Sequence, residues 1–159
     1  LRVYAEDPYN NFLPSVGNLS VYKVPTQDFV RLDDGYEEGM DIPIYYDPMI
    51  SKLVTYGKDR EEARLRMIRA IDDYKIVGLH TTMEFARFVM KHEAFITGEF
   101  DTHFVNKYFD PKALDEMEGE EGADIAGMIV AKIMADNGKK AEVINGEGSG
   151  PSNWKIKRL

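Results

Sequence analysis

Carboxylates dominate the residues that could do chemistry. Glu6 and Asp7 follow Tyr4-Ala5, and Asp47 follows Tyr45-Tyr46, each at the end of an apolar run. Asp7 and Asp47 both precede proline, and Asp starts turns well through its side-chain acceptor, so the same residues also read as Asp-Pro turn formers. Histidine occurs at His80, His92 and His103, with no His-Glu-x-x-His pair or other helical metal spacing, so the chain predicts no metal site of its own. Cysteine is absent, which removes thiolate catalysis, disulfides and Cys-ligated zinc. No nucleophile elbow or phosphate loop is present. Gly146-Glu147-Gly148-Ser149-Gly150 has the glycines of such a loop but no strand-to-helix context, and reads as a linker.

The elements that must position these residues fall into two halves. Residues 2–5, 19–24, 29–32, 42–46 and 50–56 read as short strands separated by turn signals such as Asp33-Asp34-Gly35 and Asp47-Pro48. Helices follow. Asp59 with Glu62 is a capping signal ahead of Ala63, Met67, Ile71 and Tyr74 at helical spacing, and Gly78 closes that segment. Thr81-Thr82-Met83-Glu84 repeats the capping logic before Phe85, Phe88 and Val89, and residues 101–109 form a third short helix stopped by Pro111. Strands first and helices after predict an α+β fold, an antiparallel sheet with helices packed on one face. We divide the chain into a domain at 1–111, a solvated acidic linker at 112–122, and a C-terminal helix and basic tail at 123–159. The helix spans 123–136, with Ile125, Met128, Ile129 and Ile133 on one side.

Composition narrows the class. Twenty Lys and Arg against twenty-eight Asp and Glu leave a net charge of −8, which argues against a nucleic-acid partner. No apolar run is long enough to cross a membrane, and a chain without cysteine is compatible with the reducing cytoplasm. From the residues alone the reading stops at an acidic α+β domain.

Two longer stretches carry a resemblance. Arg2-Val3-Tyr4-Ala5-Glu6-Asp7-Pro8, followed by Asn11-Phe12-Leu13-Pro14-Ser15, resembles the opening of the C-terminal domain of biotin carboxylases. So does Tyr45-Tyr46-Asp47-Pro48-Met49-Ile50-Ser51-Lys52-Leu53, with Tyr56-Gly57, Arg60, Ala63 and Met67 after it. The likeness runs from Arg2 to about Phe109, and these motifs are more similar to the acetyl- or propionyl-CoA carboxylase branch than to pyruvate carboxylase.

The resemblance implies a part of an enzyme that uses ATP, magnesium and bicarbonate to carboxylate biotin on a carrier protein. In that family the ATP-grasp domains upstream hold the metal, most phosphate contacts and the general base, so the isolated chain is expected to bind no cofactor and to be inactive. Carried over position by position, Arg2 faces bicarbonate and the biotin ureido group, and Asp47 orients Arg2 by a charge-assisted hydrogen bond. Thr102 and His103 match positions on the adenine side of ATP. Phe29, Arg31 and Asp73 lie at a two-fold homodimer contact. Where family members commonly show Thr-Asn before the second helix, this chain has Thr81-Thr82. The implied partners are the upstream domains, the biotin carrier and a carboxyltransferase subunit. Residues 115–159 fall outside the resemblance. Lys132 lies in Val-Ala-Lys-Ile rather than the Ala-Met-Lys-Met of a carrier, and the basic end suggests a natural C-terminus. The alternatives are the same domain of a pyruvate or urea carboxylase, or a non-catalytic dimerisation and assembly module.

Overall fold

The structure is a computed structural model describing residues 1–43 and 45–140. It is α+β, as read from the sequence. A three-stranded antiparallel sheet is built from β1 (Arg2–Tyr4), β8 (Met49–Thr55) and β6 (Val30–Asp34), with β8 in the middle. Three two-stranded antiparallel ladders surround it: β2 (Glu6–Asp7) with β3 (Leu13–Pro14), β4 (Gly17–Asn18) with β7 (Asp41–Ile42), and β5 (Val21–Lys23) with β9 (Lys75–Val77). The register of β1 on β8 sets Arg2 opposite Lys52, Val3 opposite Ser51 and Tyr4 opposite Met49, with a break between Val3 and Tyr4.

Helix α1 (Arg60–Asp73) forms where the capping signal placed it. The Asp59 carboxylate accepts from the Glu62 N–H at 2.8 Å, and the Glu62 carboxylate accepts from the Lys58 N–H at 2.6 Å. This satisfies donors that the first turn of any helix leaves without partners. Met67, Ala70 and Ile71 on one face of α1 are buried with Val3, Ile50 and Leu53 of the sheet. Helix α2 (Met83–Lys91) adds Met83 and Ala86 to the same core. Short helices α3 (Glu93–Thr97) and α4 (Phe104–Tyr108) follow.

Several sequence expectations need correction. Of the strand expected at 42–46, the described residues keep only Ile42, the end of β7, and residue 44 lies outside them. Tyr45 is 92% exposed, and Pro43 and Asp47-Pro48 bracket the segment with residues that cannot supply ladder N–H groups or that favour turns. The helix at 101–109 shortens to α4, because the Asp101 carboxylate closes a turn on the His103 N–H at 2.8 Å before the helix begins. The acidic linker is helical instead. Helix α5 runs from Lys112 to Lys140, entered through the Asp110 carboxylate accepting from the Lys112 N–H at 3.0 Å. Residues 112–122 carry four Glu with Ala113, Leu114 and Met117, good helix formers that outweigh two glycines, and Asp115 in the first turn complements the positive end of the helix dipole.

The chain divides into two units, Leu1–Met117 and the remainder from Glu118. In the second unit Met128, Ile129, Ile133 and Met134 of α5 are exposed. The glycine-rich segment 146–150 and the basic end lie outside the described residues. Among the described residues no helix is long and apolar enough to cross a membrane.

Candidate functional site

Strand alternation builds the site. Side chains two apart on an extended strand share a face, so Arg2 and Tyr4 of β1 line one groove of about 400 Å³, joined there by Glu6 at the start of β2. The rest of the lining is mostly apolar: Phe85, Ala86, Val89 and Met90 of α2, with Leu1, Phe12 and Val105, and Thr82 just ahead of α2 as its polar member. Phe12 adopts a left-handed backbone conformation (φ 56°), as does Asn11 before it (φ 52°). This geometry is uncommon for a bulky residue. It turns the Phe12 ring edge-on to Phe85 at a centroid distance of 5.0 Å, and Phe85 in turn packs edge-on to Phe109 at 4.8 Å. An aromatic wedge thus backs one side of the groove and a polar row lines the other.

Among the described residues the Arg2 guanidinium has no ion-pair partner. The hydrogen bond expected between the Arg2 guanidinium and Asp47 is not formed: Asp47 accepts from the N–H of Met49 at 3.0 Å, two residues on. A short carboxylate side chain closes such a local turn at little entropic cost, and here the turn has taken it. Asp47 acts electrostatically on Glu6. Partial burial pushes the Glu6 carboxyl above its ordinary value, and the Asp47 charge adds to that upward push. Glu6 is the groove residue that sequence reasoning left without a role. The signal that could have found it was the two-residue spacing Arg2, Tyr4, Glu6.

Thr102 and His103 do not line the groove, although Val105 does. The His103 side chain is 68% exposed, with its Nδ1 3.5 Å from the Asp101 carboxylate. Asp101 also holds Lys107 at 2.6 Å, and that lysine keeps the Asp101 carboxyl below its usual range.

The expected dimer residues lie on a different surface. Gln27, Phe29, Arg69, Asp72 and Asp73 line a shallow depression of about 360 Å³, in which the Gln27 amide donates to Asp73. The Gln27 Oε1 is buried there without a hydrogen-bond partner. The Arg66 guanidinium lies 5.0 Å from the centre of the Phe29 ring. The structure therefore brings Phe29 and Asp73 together. Arg31 is engaged within its own strand, where its Nε and Nη2 reach Asp33 at 3.0 and 2.8 Å.

Comparison with known proteins follows the same 107 residues that build the sheet, the groove and most of the helices. The model of the biotin carboxylase C-terminal domain matches residues 1–107. The chain belongs to that family. It is 49% identical over 110 residues to the mitochondrial propionyl-CoA carboxylase alpha chain of Homo sapiens, covering 68% of this chain and 15% of that one. Its likeness to the corresponding Caenorhabditis elegans protein is 41% over 145 residues, covering 87% of this chain and 19% of that one. This second match carries the similarity past Phe109, near which the resemblance read from the motifs ends. Among solved structures, the biotin carboxylase domain dimer of the Hydrogenobacter thermophilus 2-oxoglutarate carboxylase, in complex with MgADP, ADP and bicarbonate, superposes with a TM-score of 0.66 at 34% identity. That alignment covers 67% of this chain and 24% of that one. The chain thus spans less than a quarter of the length of each of these relatives.

Proposed function

We propose that this chain forms one wall of the reaction site in a longer ATP-dependent biotin carboxylase. That enzyme carboxylates biotin on a carrier protein as part of an acetyl- or propionyl-CoA carboxylase. The reading rests on one observation: the Arg2 guanidinium faces a groove and has no ion-pair partner among the described residues. A guanidinium is planar, permanently charged and offers five N–H donors in a fixed fork. Set against the ureido oxygen of biotin, it stabilises the negative charge that grows there as the N1′ proton leaves, and the same fork can orient bicarbonate. Asp47 holds the turn beside Glu6, so the pair sets the charge at the far end of the polar row.

Magnesium-bound ATP supplies, when present, the phosphoryl group that activates bicarbonate. Among the described residues no three His, Asp or Glu side chains converge as metal ligands. In this reading the metal, the phosphates and the general base belong to ATP-grasp domains of the same longer chain, with Thr102 and His103 on the adenine side. The 159-residue chain alone is inactive. The carrier and a carboxyltransferase subunit are the further partners, in a reducing compartment such as the cytoplasm that suits a chain without cysteine.

A second reading, an assembly module, is favoured by the depression around Phe29 and Asp73, where the buried, unpartnered Gln27 Oε1 fits a donor from a second copy. Arg2→Ala in the longer polypeptide separates the two. The catalytic-wall reading expects biotin-dependent ATP cleavage to lose on the order of a hundredfold in kcat, with the KM for ATP unchanged. Full turnover in a folded Arg2→Ala protein, with assembly lost in Phe29→Ala, supports the module instead.

A further inference from the structure

Thr82 precedes α2 at the position of a helix cap, yet its hydroxyl makes no capping bond. The capping logic of Thr81-Thr82 holds only through Thr81, whose hydroxyl accepts from the Met83 N–H at 3.4 Å, and the Thr82 hydroxyl is used elsewhere. Its Oγ1 accepts from the Tyr4 N–H at 3.1 Å and donates to the Arg2 carbonyl oxygen at 3.5 Å. The Thr82 N–H also donates to the Tyr4 carbonyl oxygen at 3.1 Å.

These three contacts fall on one side of one strand. β1 is at the edge of its sheet, with β8 on its inner side. Edge strands present N–H and C=O groups that need partners from elsewhere. Here one buried residue meets three of the outward groups, the Arg2 carbonyl and the Tyr4 N–H and carbonyl. The hydroxyl takes two of them because it can donate and accept at once, and the Thr82 N–H takes the third. The inner side needs such help, since β1 is three residues long and its register on β8 breaks between Val3 and Tyr4.

We propose that Thr82 is a positioning residue for Arg2. It clamps the backbone of β1 from its outer edge and so fixes the point from which the guanidinium reaches into the groove. The inference rests on the role given to Arg2 above, and its test separates the two.

In the longer polypeptide, Thr82→Val keeps the shape and removes the hydroxyl, while Thr82→Ser keeps the hydroxyl. The expected result is a kcat for biotin-dependent ATP cleavage reduced on the order of ten- to a hundredfold in Thr82→Val, an unchanged KM for ATP, and rescue by Thr82→Ser. A merely structural role would lower the melting temperature without that split or that rescue. Loss of turnover in Arg2→Ala together with full turnover in folded Thr82→Val overturns the positioning role alone. Full turnover in folded Arg2→Ala overturns both readings. Hydrogen exchange on the unsubstituted 159-residue chain gives an independent measure should Thr82→Val fail to fold. The Tyr4 amide is expected to be protected like an interior strand amide, and exchange at the rate of an exposed amide overturns the clamp.

Discussion

Tyr74→Phe is the substitution whose cost the structure defines most completely. The Tyr74 hydroxyl is bonded to Ser51 Oγ at 2.9 Å and donates to the Tyr22 hydroxyl at 2.6 Å, and Tyr22 donates to the Asp34 carboxylate at 3.4 Å. Each hydroxyl has one proton to give and an ionised carboxylate can only accept, so the bonds run in one direction: Ser51 to Tyr74 to Tyr22 to Asp34. Ser51 is 2% exposed and Tyr74 6%. Removing the Tyr74 oxygen deletes two hydrogen bonds and leaves the Ser51 hydroxyl buried without a partner, a cost of about 2–4 kcal/mol. The ring itself stays, edge-on to Tyr22 at 5.7 Å, so the loss is polar rather than a cavity.

For a domain of this size the melting temperature should fall by roughly 8–16 °C, followed by circular dichroism. Ser51→Ala combined with Tyr74→Phe should cost less than the sum of the single changes, because the double variant leaves no orphaned hydroxyl. A loss below about 0.5 kcal/mol for Tyr74→Phe, or strict additivity in the double variant, refutes the reasoning. The chain of hydroxyls also sets a pH dependence. Burial pushes both phenols above their ordinary value of 10.0, so the folded protein holds these protons more tightly than the unfolded chain does. Their contribution is complete below pH 10 and is lost as the pH climbs above it. Tyr22→Phe should flatten that alkaline decline.

Two further outcomes test the geometry. The Glu6 carboxyl should titrate above its ordinary 4.5 by NMR, and Asp47→Asn should lower the midpoint without restoring it, because burial is the larger cause. A midpoint that does not move places Asp47 away from Glu6. Gly78 has φ 114°, and a Cβ there would run into the carbonyl oxygen of Asn18, so Gly78→Ala should destabilise by at least about 2 kcal/mol. Gly98 also has a positive φ (84°) but open space around its Cβ position, so Gly98→Ala should cost less; equal losses in urea melts would discount the clash.

The sequence was most legible where a residue's partner lies within a few positions along the chain. The start of α1 was readable because Asp59, Glu62 and Lys58 satisfy one another locally. β8 was readable because a run of Ile, Leu and Val between turn residues has few alternatives. The acidic stretch misled because high charge suits both a solvated link and an exposed helix, and backbone hydrogen bonding chose the helix. β9 went unseen because three residues carry no periodicity, and its pairing with β5 joins positions more than fifty apart.

By itself the sequence determined the class of fold, the family and the presence of Arg2 at the head of a strand, since these follow from composition, local spacing and motif. Only the tertiary structure decided what each polar side chain holds. Asp47 could have met Arg2 and instead closes its own turn; Arg31 could have stood free and meets Asp33; Thr82 could have capped a helix and reaches back to β1. A carboxylate, a guanidinium or a hydroxyl accepts many partners of nearly equal energy, and the choice falls to whichever group the packed backbone brings within 3 Å.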